Sequence, residues 1–393
     1  MTRQKIIILF TVFIDVLGFG IVIPILPFYL SEFGADAFTV TLLFSVFSFC
    51  SFISNPFLGA LSDRIGRRPV LLLSIFSTSL GWLVFASASS IPMLFVGRII
   101  DGLAAGNFTT AQSYLVDIST TDKERTTNLG IIGATFGIGF MVGPLLGGIL
   151  STVSHAFPFY TVGVMALFNG IIASFLLPET NKNRNQVPLR FNPIAPLKNA
   201  YREKSLQKVY GVWLLFSLSI VISQSIFGLF AQKVFLFNAF QTGIFFTIAG
   251  IIIAINQIFL LKRVWLKHFS ELDIQKIMLI VLGIGLLGMS TQYVGVFYLA
   301  LVFLGTGQAL LRVVITSRAV GFGDPKAKGE ILGITSAIMS GAMVVGPLLG
   351  GVLFEIHYSS PYVLSALLLF IGFFISLRDS HSNKTTPVHS TTH

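Results

Sequence analysis

Gly59-Ala-Leu-Ser-Asp-Arg-Ile-Gly-Arg-Arg-Pro69 sets one acid and three arginines between two long apolar runs. Such a stretch suits neither a dry core nor the hydrocarbon of a bilayer, where unpaired charge is costly. The runs on either side, 42–62 and 70–90, each reach the roughly 20 residues that a helix needs to cross a membrane. The stretch therefore reads as a loop at a membrane face, and its positive charge assigns that face to the cytoplasm.

Working outward, the same alternation of long apolar run and short polar gap covers the chain. Runs of spanning length lie at 6–28, 42–62, 70–90, 93–118, 127–152 and 158–178. They resume at 208–232, 242–262, 273–293, 295–319, 329–355 and 359–377. Their length and continuity predict transmembrane helices and exclude a membrane β-barrel. Composition agrees. Of 393 residues, 54% are hydrophobic and 11% charged, whereas a soluble domain is about a quarter charged. The 39 phenylalanines and 37 glycines suit helices that face lipid or pack closely. The first run contains Asp15, lacks a small-residue cleavage pattern and is followed by similar runs, so it reads as a span and not as a cleaved signal.

Charge sets the orientation. With both termini cytoplasmic, 23 of the 26 Lys and Arg fall on the inner side, leaving Arg98 and Arg312 within spans and Lys233 at an outer end. The net charge of +10 is thereby explained by topology, and no nucleic acid is implied. Residues 179–207, with Pro188, Pro193 and Pro196, read as a cytoplasmic linker between an N-terminal bundle (1–178) and a C-terminal bundle (208–377). Residues 378–393 read as a disordered cytoplasmic tail. The single Cys50 gives no disulfide or thiol metal site, and the histidines lack metal-ligand spacing. No catalytic set and no phosphate-binding glycine loop with Lys-Ser/Thr is present, so neither an enzyme nor ATP-driven transport is expected, and no cofactor.

The halves repeat. Val142-Gly-Pro-Leu-Leu-Gly-Gly148 recurs unchanged as Val345-Gly-Pro-Leu-Leu-Gly-Gly351, and at the same offset Leu129-Gly130-Ile131 matches Leu332-Gly333-Ile334. One such copy per six-span half marks a duplicated transporter.

Four motifs now resemble the major facilitator superfamily. They are the Gly59–Pro69 loop, Gly97-Arg98-x-x-Asp101-Gly102 in span 4, Gly139-x-x-x-Gly143-Pro144-x-x-Gly147-Gly148 in span 5, and Asp15-x-x-Gly18-x-Gly20-x-x-x-Pro24-x-x-Pro27 in span 1. The last two are similar to the twelve-span drug/H⁺ antiporters, and the first half is similar to tetracycline/H⁺ antiporters. The resemblance implies two pseudo-symmetric six-helix bundles and a monomer that exports a small lipophilic or cationic compound against protons. It also implies the plasma membrane, in a bacterium the inner one. Resembling tetracycline exporters carry an acid near the outer end of span 3, but residues 79–97 contain none, which argues against tetracycline itself.

Several residues carry mechanism on this reading. Asp15 lies near the middle of span 1, where a charge costs about 2.5–3.5 kcal/mol. A carboxyl there can bind a proton and become neutral, which proton coupling requires. The alternative is a packing acid paired with a cation or hydroxyl. Arg98 and Asp101, three apart on one helical face, form either a structural ion pair or a partner-switching pair that tunes a nearby acid. Asp63, Arg67 and Asp117 resemble a cluster that latches the cytoplasmic side shut, with Gly59 letting span 2 approach span 11. Alternatively, the arginines only set topology. Gly139, Gly143, Pro144, Gly147 and Gly148 allow close packing and a bend in span 5; in span 11 Ala342 takes the place of Gly139. Gln224, Asn256, Gln257, Gln308 and Arg312 are candidates for a substrate cavity, although each Gln or Asn equally suits a bond to a neighbouring helix. Export of a sugar, lipid or other metabolite, import of a nutrient, and a non-transporting receptor stay open beside drug/H⁺ antiport.

Overall fold

The acid just ahead of the second apolar run starts its helix. Asp36 accepts from the Thr39 amide at 2.8 Å, and the hydroxyl and amide of Thr39 hold its carboxyl below the usual carboxylate range. Thr121 and Ser270 cap two further helices in the same way, through the amides of Glu124 and Asp273. The computed structural model describes residues 3–181, 206–322 and 328–378. Most of the expected linker, and the tail from 379, lie outside the described residues.

The first half comprises α1 (Arg3–Ser31), α2 (Ala37–Ile65), α3 (Arg67–Ala86), α4 (Ile91–Leu103), α5 (Asn107–Asp117), α6 (Asp122–Leu150) and α7 (Phe157–Leu176). The second comprises α8 (Gln207–Phe235), α9 (Ala239–Ile255), α10 (Glu271–Met289), α11 (Val294–Phe322), α12 (Lys328–Ile356) and α13 (Ser360–Leu377). No strand occurs among the described residues, and 12 helical segments are long and apolar enough to cross a membrane. Each coincides with one of the predicted runs.

Two spans depart from continuous α-helix. The span Ile91–Asp117 breaks between α4 and α5, where Ser54 Oγ donates to the Gly102 carbonyl at 2.8 Å and so satisfies one backbone group freed by the break. A π-helix, Asn256–Trp265, extends α9.

The chain forms two compact units that cut across the sequence halves. One joins the N-terminal half with Val221–Ile251 and Ser340–Pro361; the other contains Ile252–Met339 with flanking segments. In the first unit α1 packs against α6, α7 and α5, and α3 against α4 and α7. Its core is aromatic. Trp82 stacks on Phe159 with centroids 5.8 Å apart, Phe85 meets Phe159 edge-on, and the Tyr29 hydroxyl donates to the Phe85 carbonyl at 3.0 Å. In the second unit α10 packs along α11. There Arg318 donates to Gln275, and Gln275 donates to the Ser376 hydroxyl at 2.7 Å.

Candidate transport site

The repeated glycines explain why α1 and α6 lie so close. Gly139, Gly143 and Gly147 recur every fourth residue and form one stripe on α6. A side-chain carbon built at Gly139 would come within 3.1 Å of Val16, at Gly143 within 3.0 Å of Gly20 Cα, and at Gly147 within 2.6 Å of Ile25. Gly148, one residue on, faces the start of α9, 3.0 Å from Phe240 Cα. Pro144 presents its carbonyl to Gly243 and its ring to Gly20. The copy on α12 repeats the arrangement. Gly346 faces Val221 and Gly350 faces Ile226, both on α8, while Gly351 lies against Phe38 at the start of α2. The last glycine of each copy thus seats the beginning of a helix from the other sequence half. Glu355, one turn beyond Gly351, accepts from the Phe38 amide at 3.2 Å.

Close packing of α1 brings Asp15 to a narrow crevice lined by Thr11, Ile14, Ile75, Thr78, Ala166 and Asn169. The break after α4 places Asn107 at the first position of α5. Its Nδ2 donates to Asp15 Oδ1 at 3.1 Å and reaches Thr78 Oγ1 at 3.4 Å. Asp101 lies near Thr78. Asp101 pairs with Arg98, Nη1 to Oδ2 at 3.5 Å, and both side chains are at least nine-tenths buried. Gly81 and Gly97 meet where α3 crosses α4, which lets this pair sit beside α3. The Arg98 guanidinium lies 4.5 Å from the Trp82 ring centroid and 4.6 Å from that of Phe85, so aromatic faces replace much of its lost hydration. Asp15, Asn107 and Thr78 thus form one string, and the Asp101–Arg98 pair lies beside it. On its other side the Asn169 amide donates to the Thr11 hydroxyl at 2.7 Å.

At the opposite end of these helices the basic loop closes on itself. Arg67 Nη1 contacts Asp63 Oδ1 at 2.5 Å, and its Nε contacts Asp117 Oδ2 at 3.1 Å. The three predicted residues therefore meet. A fourth was not foreseen. Glu179, just beyond α7, accepts from the Arg67, Arg68, Thr180 and Asn181 amides at 2.8–3.1 Å, capping the start of α3. Gly66, at φ +115°, lies against this carboxylate in a conformation that other residues rarely adopt. Gly59 lies in open space. A side-chain carbon there would meet nothing within 4 Å, so no described neighbour uses the close approach that its glycine permits.

The five cavity candidates are divided between the two compact units. Gln224 belongs to the first compact unit and the other four to the second. Asn256 donates to Thr306 Oγ1 at 3.2 Å and Gln257 to the Ala309 carbonyl at 3.4 Å, both on α11. These two thus serve helix–helix bonding, the alternative reading of such residues. Gln308 is half-buried, and the Arg312 side chain is exposed with no acid partner among the described residues. No group of three or more His, Cys, Asp or Glu able to hold a metal occurs among the described residues. Asn107, Thr78 and Asn169 escaped notice in the sequence because single Asn and Thr residues are common in membrane helices. A detectable signal existed for Asn107, which follows a small-residue stretch, Gly102-Leu-Ala-Ala-Gly106.

Comparison with known proteins agrees with this architecture. The family model described as Major Facilitator Superfamily matches residues 8–271 and 274–392. A tetracycline resistance protein, class C, of Escherichia coli is 30% identical over 353 residues, covering 88% of each chain. The quinolone resistance protein NorA of Staphylococcus aureus (strain COL) is 26% identical, covering 93% of each. Among solved structures, a bacterial homologue of the human lysosomal transporter Spinster superposes with a TM-score of 0.78 at 11% identity, over 97% of this chain and 98% of that one. At that identity the match speaks for the fold.

Proposed function

This chain belongs to the major facilitator superfamily, and we propose that it is an exporter of small amphipathic compounds driven by proton entry. It is a transporter and not an enzyme, held in the membrane by multiple spans. The observation that carries the coupling reading is the position of Asp15. It lies inside a span, takes a hydrogen bond from Asn107 and faces the Asp101–Arg98 pair across Thr78.

An acid so placed has two states that the rest of the string must follow. Ionised, it is held by the Asn107 amide. Protonated, it loses its charge, and Asp101 remains paired with Arg98. Export needs a site whose charge differs between the two faces of the cycle, and this acid supplies it. The discontinuous span beside it offers the moving part. The Asp63–Arg67–Asp117 corner, braced by Glu179, serves as the cytoplasmic gate, and the lysine and arginine distribution supports placing it on the inner side. Export of drug-like molecules is supported by the names of the resistance proteins above, and the lack of an acid in residues 79–97 directs the reading away from tetracycline.

Everted vesicles test this reading. With an acid interior maintained, addition of a substrate such as a quinolone or ethidium should release protons in vesicles containing the parent chain. Asp15→Asn should abolish that release at equal expression. Proton release by Asp15→Asn at the parent rate would overturn the assignment.

A further inference from the structure

The Asn107 side chain is 2% exposed. Its amide nitrogen has two partners, Asp15 and Thr78, but its carbonyl oxygen, equally buried, has none among the described residues. An unmet buried acceptor costs free energy unless another state of the molecule uses it. An amide can present either end, the NH₂ to an acceptor or the oxygen to a donor. Asp15 changes in that same sense. Ionised it only accepts; protonated it has an O–H to give.

We propose that Asn107 is the positioning residue that serves both protonation states of Asp15. It donates Nδ2–H to the carboxylate and, after the amide turns over, accepts the carboxyl O–H at Oδ1. This rests on Asp15 being the proton site. The turn is local because Asn107 begins α5, immediately after the break at 104–106. Thr78 suits both ends of the motion, since its hydroxyl also donates and accepts. Among the described residues, the charged groups that face Asp15 are Asp101 and, paired with it, Arg98, both on α4. Helices α3, α5 and α7 bring Thr78, Asn107 and Asn169, α6 brings its glycine stripe, and α2 brings Phe47 against Arg98. Among the described residues no second cation faces Asp15 to do the work of the amide.

The test needs no transported compound. The purified full-length chain, reconstituted in lipid, is titrated by infrared difference spectroscopy, and the carboxyl band absent from Asp15→Asn reports Asp15. Asn107→Leu keeps the bulk and removes both functions, so the carboxylate loses its donor. The carboxyl stretch of the protonated acid should rise in frequency as its O–H loses an acceptor, and because the bond to the ionised form is the stronger of the two, the midpoint should move to higher pH by about one unit, a tenfold change. Asn107→Ser, whose hydroxyl donates and accepts, should bring the midpoint back toward the parent value, and it keeps the test alive if the leucine variant does not fold. A folded Asn107→Leu protein with an unmoved carboxyl stretch and an unmoved midpoint overturns the inference while leaving Asp15 as the proton site. A carboxyl band that is insensitive to Asp15→Asn overturns both.

Discussion

Four backbone amides converge on the Glu179 carboxylate, and two of them, those of Arg67 and Arg68, open α3. Glu179→Ala leaves these donors unmet, at about 1–3 kcal/mol for a hydrogen-bonded charge lost from a part-buried site. Thermal unfolding of the purified chain in detergent should begin several degrees lower than in the parent. Arg64 belongs to the same loop but is exposed and has no ion pair among the described residues. Arg64→Ala should therefore leave stability unchanged, which separates charge that sets topology from charge that builds the corner. Gly66→Ala should also destabilise, by roughly 1–3 kcal/mol, because its backbone conformation is strained for other residues. The Asp63, Arg67 and Asp117 cluster was legible in the sequence through the resemblance of the Gly59–Pro69 loop and span 4 to the superfamily. Glu179 was not, since nothing local ties a residue beyond the sixth span to the start of the third; only folding brings them together.

At the scale of elements, the glycine stripe on α6 makes the sharpest distinction. Gly143 meets the backbone of α1 at Gly20 and Leu17, whereas Gly130 and Gly133 on the same helix have nothing within 4 Å. Gly143→Leu should force α1 and α6 apart, cost about 1–3 kcal/mol or more, and abolish transport in the vesicle assay. Gly130→Ala should be silent or slightly stabilising, since alanine favours helix over glycine by roughly 1 kcal/mol. The twelve spans could be read from apolar run length alone, and the repeat of seven residues pointed to the packed glycines. The break at 104–106 could not, because Gly102 and Gly106 look like the small residues of any closely packed membrane helix. The π-helix at Asn256–Trp265 was equally hidden, being decided by hydrogen-bond register and not by residue type. Gly59 shows the converse, a residue with the right identity for close contact and no described neighbour that uses it.

For the whole molecule, the energetics bound what this design can achieve. One proton entering across 100 mV supplies about 2.3 kcal/mol, before any pH gradient is added. At one-to-one exchange that sustains roughly a 50-fold gradient of a neutral compound. Such work requires that proton and substrate be coupled, not merely that the membrane be crossed. The duplicated architecture provides the frame: each repeat copy packs its own bundle's first and fifth spans and seats a helix from the other half. The acid proposed to do the coupling has no counterpart at the matching position of the second half, for residue 218, which matches Asp15 at the 203-residue offset of the repeat, is a leucine. The central claim is that Asp15 couples export to protons, and reconstituted vesicles test it most directly. The purified chain is given one labelled substrate, first with an imposed proton gradient and then, with no gradient, for exchange against unlabelled substrate. Asp15→Asn should retain the exchange and lose the gradient-driven accumulation. Accumulation by Asp15→Asn at the parent level would contradict the account.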